Sequence, residues 1–259
     1  MFDWLPNLPV VWIGLVVLVG MALLTAVIYA VVMRLAEGDR AAALKAMSPG
    51  MLPPMGILFA LIVGFLAVGV WSNVARAEEA VADQASALRS VVILSDDLPP
   101  QTRTGMRALV RAEIENAVDR EWPAMQAQRA DLTAISTALA DALHLAIRFD
   151  PRGDGEANVQ RELVASIQDA LDARRQRIIV SQASIDAVKW LGVLALASLT
   201  LCAIAFVHSD NRITARFAMG LFAVAVAVVI TMLASQDQPF SGQLGIDPDV
   251  LQQVSPRGG

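Results

Sequence analysis

Cysteine is nearly absent from this chain, Cys202 being the only one, and a single thiol excludes both an intrachain disulfide and a multi-thiolate metal site. Histidine is almost as scarce. His144 and His208 lie far apart, and neither has an H-x-x-E-H or H-x-x-x-H partner, so no metal site is expected. His144 reads as a half-buried structural residue on a helix, and His208 as an interfacial residue. No Gly-rich phosphate loop, nucleophile elbow or dinucleotide fingerprint occurs, and no convergent acid, base and nucleophile set is visible. The chain is therefore not expected to be an enzyme, and no catalytic residue or cofactor is assigned. An excess of basic residues is missing too. The formal net charge of −5 argues against binding a phosphate backbone, and nucleic acid is not an expected partner.

The most informative absence is charge in four long apolar stretches, 9–33, 52–71, 190–208 and 217–235. A helix rising about 1.5 Å per residue needs roughly 20 apolar residues to cross about 30 Å of hydrocarbon. All four qualify as transmembrane helices, two before and two after a charged block at 72–189, with a tail at 236–259. The predicted fold is all-α, and the lipid bilayer is an obligatory partner. The leader Met1-Phe2-Asp3-Trp4-Leu5-Pro6 has no basic residue, and the first run exceeds the roughly 7 to 15 residues of a signal-peptide core. It is read as a retained span. Ionisable residues within the spans mark proton relays and transport sites. Their absence disfavours a proton-coupled pump.

Orientation follows from the loops. Arg34, Arg40 and Lys45 flank the first short loop and Arg212 and Arg216 the other, so both are expected in the cytoplasm. The N-terminus, the central block and the tail then lie outside it, in a bacterial inner membrane. Arg76, Arg174, Arg175, Arg177 and Lys189 run counter to this, but segments longer than about 60 residues translocate largely regardless of charge.

From Met55 to Leu98 there is no proline, and the glycines Gly56, Gly64 and Gly69 fall inside the membrane. The second span is thus expected to run on as a stalk, with Val74, Ala77, Val81, Ala85, Leu88 and Val92 as its apolar stripe. The return path, Glu156 to Val207, has no proline and only Gly192, which predicts one helix re-entering the membrane. Between them, patterns at 101–128 and 131–147 predict two more amphipathic helices, the latter carrying Leu132, Ile135, Leu139 and Leu143, and the four close as a bundle. Glu78, Glu79, Glu113 and Glu115 read as solvated faces. Asp150-Pro151-Arg152-Gly153-Asp154-Gly155 superficially matches a calcium loop, but Arg152 and Arg161 stand where oxygen ligands belong. It is a turn. The alanine-rich stripe removes little apolar area, which predicts packing against further copies of the chain, a homo-oligomer.

Several short motifs occur in order: Val70-Trp71, Ala77-Glu78-Glu79-Ala80-Val81, Ala87-Leu88-Arg89, Glu121-Trp122-Pro123-Ala124-Met125, Ala173-Arg174-Arg175-x-Arg177 and Asp237-x-Pro239-Phe240-x-Gly242. On these the chain resembles the bestrophin-like family of uncharacterised integral membrane proteins. The resemblance implies the two-plus-two architecture and likeness to bestrophins, which are oligomeric anion channels. The tail is similar to the bestrophin Asn-Pro-Phe-Gly-Glu segment, but the acidic run that follows there is missing here, so calcium gating is not carried over.

Two functions stay open. One is an oligomeric ion channel lined by the second span, with Phe59, Ile62, Phe65 and Gly69 as candidate pore residues and Arg76, Glu78 and Glu79 as candidate charges at its mouth. Small inorganic ions would be its cargo. The other is a non-conducting membrane sensor or scaffold whose stalk binds a partner, with Glu121-Trp122-Pro123 as a contact point. The tail is either a cap on the membrane face or an entrance to a pore.

Overall fold

The computed structural model of the chain describes residues 9–36, 49–133 and 135–256. The leader Met1 to Pro6 and the loop cations Arg40 and Lys45 lie outside these residues. All secondary structure among the described residues is helical: α1 (Val10–Leu35), α2 (Leu52–Leu94), α3 (Pro100–Asn116), α4 (Trp122–Gln126), α5 (Thr137–Arg148), α6 (Asp154–Ser181), α7 (Ala187–Val207), α8 (Arg212–Gln236) and α9 (Asp249–Gln252). Short 3₁₀ turns precede and follow α2, and a π turn, Ala117–Glu121, joins α3 to α4. Four helices, α1, α2, α7 and α8, are long and apolar enough to span a bilayer.

The chain divides into two units: Met1–Ser72 with Ser184–Asp237, and Asn73–Ala183 with Gln238–Gly259. In the first unit, α7 presents Val193, Ala197, Leu201 and Ala205 at four-residue steps, all buried, and α8 presents Met219, Ala223, Ala227 and Ile230. The small residues let backbones approach closely, which is how helices gain packing energy where lipid removes the hydrophobic drive. Hydroxyls here are satisfied locally: Thr25, Ser198, Thr200 and Thr231 each donate to the carbonyl four residues back, at 2.7 to 2.8 Å. No buried charge occurs in this unit among the described residues.

The second unit is a bundle of the C-terminal part of α2 with α3, α5 and α6. Ala77, Val81, Ala85 and Leu88 of α2 are buried with Met106 and Val110 of α3, Leu139 of α5 and Leu163 and Ile167 of α6, so the stripe predicted for the stalk is its core face. α2 is unbroken for 43 residues, about 65 Å at 1.5 Å per residue.

Four expectations need correction. The return path is not one helix: α6 ends at Ser181 and α7 starts at Ala187. At the break, the Asp237 carboxylate accepts the Ile185 N–H at 2.7 Å, and Gln182 Nε2 donates to the Ala130 carbonyl at 2.5 Å. The Asp237 carboxylate thus takes over a backbone N–H that a continuous helix would have paired within itself, while Gln182 ties the end of α6 to Ala130. The helix expected from Asp131 begins only at Thr137, because Asp131 folds back on Thr133, accepting its N–H at 2.9 Å and its hydroxyl at 2.6 Å. That Asx turn competes with helix. Leu132 and Ile135, placed on the stripe, are exposed as a result. The pattern at 101–128 is interrupted by the π turn, since Pro123 has no N–H for the carbonyl four residues before it and the turn widens. His144 is exposed rather than half-buried.

Candidate functional site

The predicted pore residues sit on the N-terminal part of α2 and do not share one environment. Phe59 is buried in the membrane unit, its ring edge-on to Phe222 at 5.6 Å. Ile62 and Phe65 are exposed, Phe65 at 71 %, and a Cβ added at Gly64 or Gly69 would meet nothing within 4 Å. In its most apolar window, α2 is only 6 % buried by its own chain, against 17 % for α1, 33 % for α7 and 39 % for α8. Trp71, Arg76, Glu78 and Glu79 follow, all exposed, with Arg76 bonded to Asn73 Oδ1 at 2.6 Å.

The strongest constellation in the chain lies in the stalk unit. The π turn sets Glu121 toward α6, where Arg174 contacts Oε1 at 2.6 Å and Arg177 contacts Oε2 at 2.5 Å. A carboxylate held by two guanidiniums in a nearly closed setting is stable only as a complete set. Arg177 is fully enclosed, and its guanidinium also stands 5.1 Å from the Trp122 ring centre. Burial pulls the Arg177 pKa down, while Glu121 and then Glu113 oppose that.

Trp122 carries the network to the tail. Its indole N–H donates to the Ile246 carbonyl at 3.1 Å, and its ring meets Phe240 edge-on at 5.4 Å. Phe240 and Leu251 are buried in the stalk core. The turn is shaped by Gly242, whose φ of 78° suits glycine, and by Gly245, where a Cβ would stand 2.9 Å from the Phe240 carbonyl oxygen. Ser241 donates to the Gln126 carbonyl at 2.7 Å. Pro239 is buried, whereas Pro123, Arg175 and Gly242 are exposed. The motif residues Glu121, Trp122, Arg174 and Phe240 therefore form one cluster, and Trp71 and Arg175 stand apart from it.

Glu113, expected on a solvated face, is completely buried. Gln84 Nε2 donates to its Oε1 at 3.2 Å, and the Ser136 hydroxyl donates to its Oε2. Ser136 also caps α5 by accepting the Leu139 N–H at 3.2 Å. Burial raises the Glu113 pKa to about 7; the Ser136 hydrogen bond opposes this, Glu121 reinforces it, and Arg174 and Arg177 oppose it. Gln84, Ser136 and Arg177 were not among the predicted site residues, yet the signal was present. Gln84 falls between Val81 and Leu88 at helical steps, Glu113 lies three residues after Val110, and Arg177 lies seven after Ala170, whereas Ser136 sits on no such stripe. A polar residue on an apolar stripe has to find a partner inside. Beside this set, a cavity of about 760 Å³ is lined by Glu115, Arg120, Glu121, Arg129, Ser136 and Arg174 among others. No group of three or more metal-binding side chains occurs among the described residues.

Comparison with known proteins agrees with this architecture. A model of the Bestrophin-like domain matches residues 9–251. The chain belongs to the Bestrophin-like family. Among solved structures, it is similar to a bacterial bestrophin homologue from Klebsiella pneumoniae carrying a point mutation, with 11 % identity, a TM-score of 0.69, and coverage of 92 % of this chain and 96 % of that one. A second crystal structure, described as a membrane protein with a point substitution, also shares 11 % identity, with a TM-score of 0.68 and coverage of 95 % and 96 %. At such identity the likeness is one of fold. No curated protein matches. The chain is thus an all-helical integral membrane protein with a bestrophin-like fold.

Proposed function

We propose that copies of this chain assemble around α2 into an ion channel, with Ile62, Phe65 and Gly69 facing the pore. The observation that carries this reading is the bareness of α2. Its own chain covers 6 % of its most apolar window, while α1, α7 and α8 are covered more fully. Bare apolar surface in a bilayer is tolerated next to lipid, but Gly64 and Gly69, with open space where a Cβ would stand, are better suited to close helix approach. Phe65 then supplies an apolar ring that gates by dewetting. Phe59, engaged with Phe222, is left out of the lining. Arg76, Glu78 and Glu79 stand at the mouth and carry both signs of charge, so charge alone does not select anions or cations. In this reading both short loops face the cytoplasm and the stalk and tail lie outside it.

The alternative, a non-conducting scaffold that docks a partner through Trp122, has less support. Trp122 is 3 % exposed and engaged by Ile246 and Phe240. Ion flux from proteoliposomes tests the channel reading. Flux above empty vesicles that rises when Phe65 is replaced by Ala supports it, and flux indistinguishable from empty vesicles in both proteins defeats it.

A further inference from the structure

Glu113 is set apart by the chemistry of what surrounds it. Its hydrogen-bond partners, Gln84 and Ser136, are both neutral, while both guanidiniums nearby bond Glu121. The charged groups facing it are Glu121 from the π turn and Arg174 and Arg177 from α6. Two guanidiniums and one carboxylate leave one positive charge in excess. An ionised Glu113 cancels that excess but has no charged hydrogen-bond partner; a protonated Glu113 avoids the desolvation cost of a buried carboxylate but leaves the excess standing. Each state thus gains one of these effects and gives up the other.

The partners suit both states. The Ser136 hydroxyl donates to Oε2, which accepts in both states, more strongly as a carboxylate oxygen than as the carbonyl oxygen of an acid. At Oε1, Gln84 donates through Nε2, while its own Oε1 is buried with no donor. Half a turn of that amide presents the orphaned oxygen to a protonated Glu113 and converts the donor into an acceptor, leaving one amide end unpaired in either state. Neither protonation state therefore disrupts the cap of α5 at Ser136.

We propose that Gln84, Glu113 and Ser136 form a proton-binding site inside the stalk, with the Gln84 amide donating to the carboxylate and, once turned over, accepting from the carboxylic acid. The proton is exchanged with water, and no other bond is made or broken. Burial, which places the Glu113 pKa at about 7, agrees with a site that fills and empties near neutrality. One proton then changes the net charge of a core built from α2, α3, α5 and α6. The inference does not depend on conduction.

Infrared difference spectroscopy of the full-length protein in lipid nanodiscs, titrated from about pH 5 to about pH 9, reads buried carboxylic acids directly. One carboxylic acid band should vanish with a midpoint near the value of about 7, and it should be absent at every pH in Glu113→Gln. In Ser136→Ala, loss of a hydroxyl that favours the carboxylate should raise the midpoint by about one pH unit, a tenfold gain in proton affinity. A band that persists in Glu113→Gln, or a carboxyl already ionised at about pH 5, close to its ordinary range, overturns the proposal. Should Glu113→Gln not fold, Ser136→Ala decides alone: an unmoved midpoint overturns the site, because a purely structural Glu113 would not report loss of that hydroxyl.

Discussion

The membrane unit and the stalk unit solve the problem of holding helices together in opposite ways. The first packs alanine, valine and leucine stripes and buries no charge among its described residues, whereas the second encloses Glu113 and Arg177 completely and Arg174 nearly so. Lipid explains part of the contrast. A charge in a bilayer costs at least about 2.5 to 3.5 kcal/mol even on lenient scales, so α1, α7 and α8 gain specificity from close backbone approach instead. The stalk has a thin alanine stripe on α2, which stabilises weakly by area. Its buried polar set joins Glu121 to two guanidiniums and Glu113 to Gln84 and Ser136, and a set of this kind is costly to break.

The sharpest way to break the contrast is Arg177→Ala. Removing one partner of a buried ion pair leaves the other uncompensated, and about 3 to 5 kcal/mol of stalk stability should be lost. Chemical denaturation followed by the fluorescence of Trp122, with the other four tryptophans replaced by Phe, measures it; a loss under about 1 kcal/mol, typical of exposed pairs, would mean that the cluster is solvated. Phe240→Ala should come next, at about 3 kcal/mol for an aromatic truncated in a core, read as a lower midpoint in the same titration. If the tail merely capped the membrane face, stalk stability would not change.

The pH dependence of the stalk sharpens the comparison further. Glu113 holds its proton more tightly in the folded protein, with a pKa raised from 4.5 to about 7, than it does unfolded. The folded state binds the extra proton within that window, so stability falls as pH rises through it. The total is about 3 kcal/mol, present below the lower value and lost above the upper one. Thermal unfolding of the stalk should therefore occur at higher temperature at about pH 5 than at about pH 8, and Glu113→Gln should flatten that difference. The smallest effect is expected at the break in the return path. Asp237→Ala removes the acceptor of the Ile185 N–H and should cost about 1 to 2 kcal/mol, with faster amide exchange confined to residues near Ile185. Unchanged exchange there would show that the carboxylate does not hold the break.

What was legible in the residues and what was not divide along a physical line. The four long apolar helices, the unbroken α2 and its apolar stripe were legible because hydrophobicity and helical period act locally. The break after Ser181 was not: Gln182 to Asp186 contains no proline or glycine, and its unwinding depends on the distant Asp237 and Ala130. Glu113 was misread for a related reason. A glutamate beside Glu115 suggests a wet face, and only its place three residues after Val110 betrays an inward direction. The motif around Glu121 and Phe240 was visible as a string of letters, but the geometry joining them arises from a π turn that Pro123 induces.

Burial of Phe240 and Leu251 in the stalk core also has a consequence in time. The bundle helices α2 to α6 are all synthesised before Ala183, yet the core lacks two of its buried side chains until residue 251 has been made. At about 5 to 20 residues per second, the ribosome takes roughly 3 to 14 s to cover that interval. During it, Trp122 lacks the ring of Phe240 and the carbonyl of Ile246. A chain stalled after α8 would thus carry intact spans and an unfinished stalk, a defect that a protease can recognise.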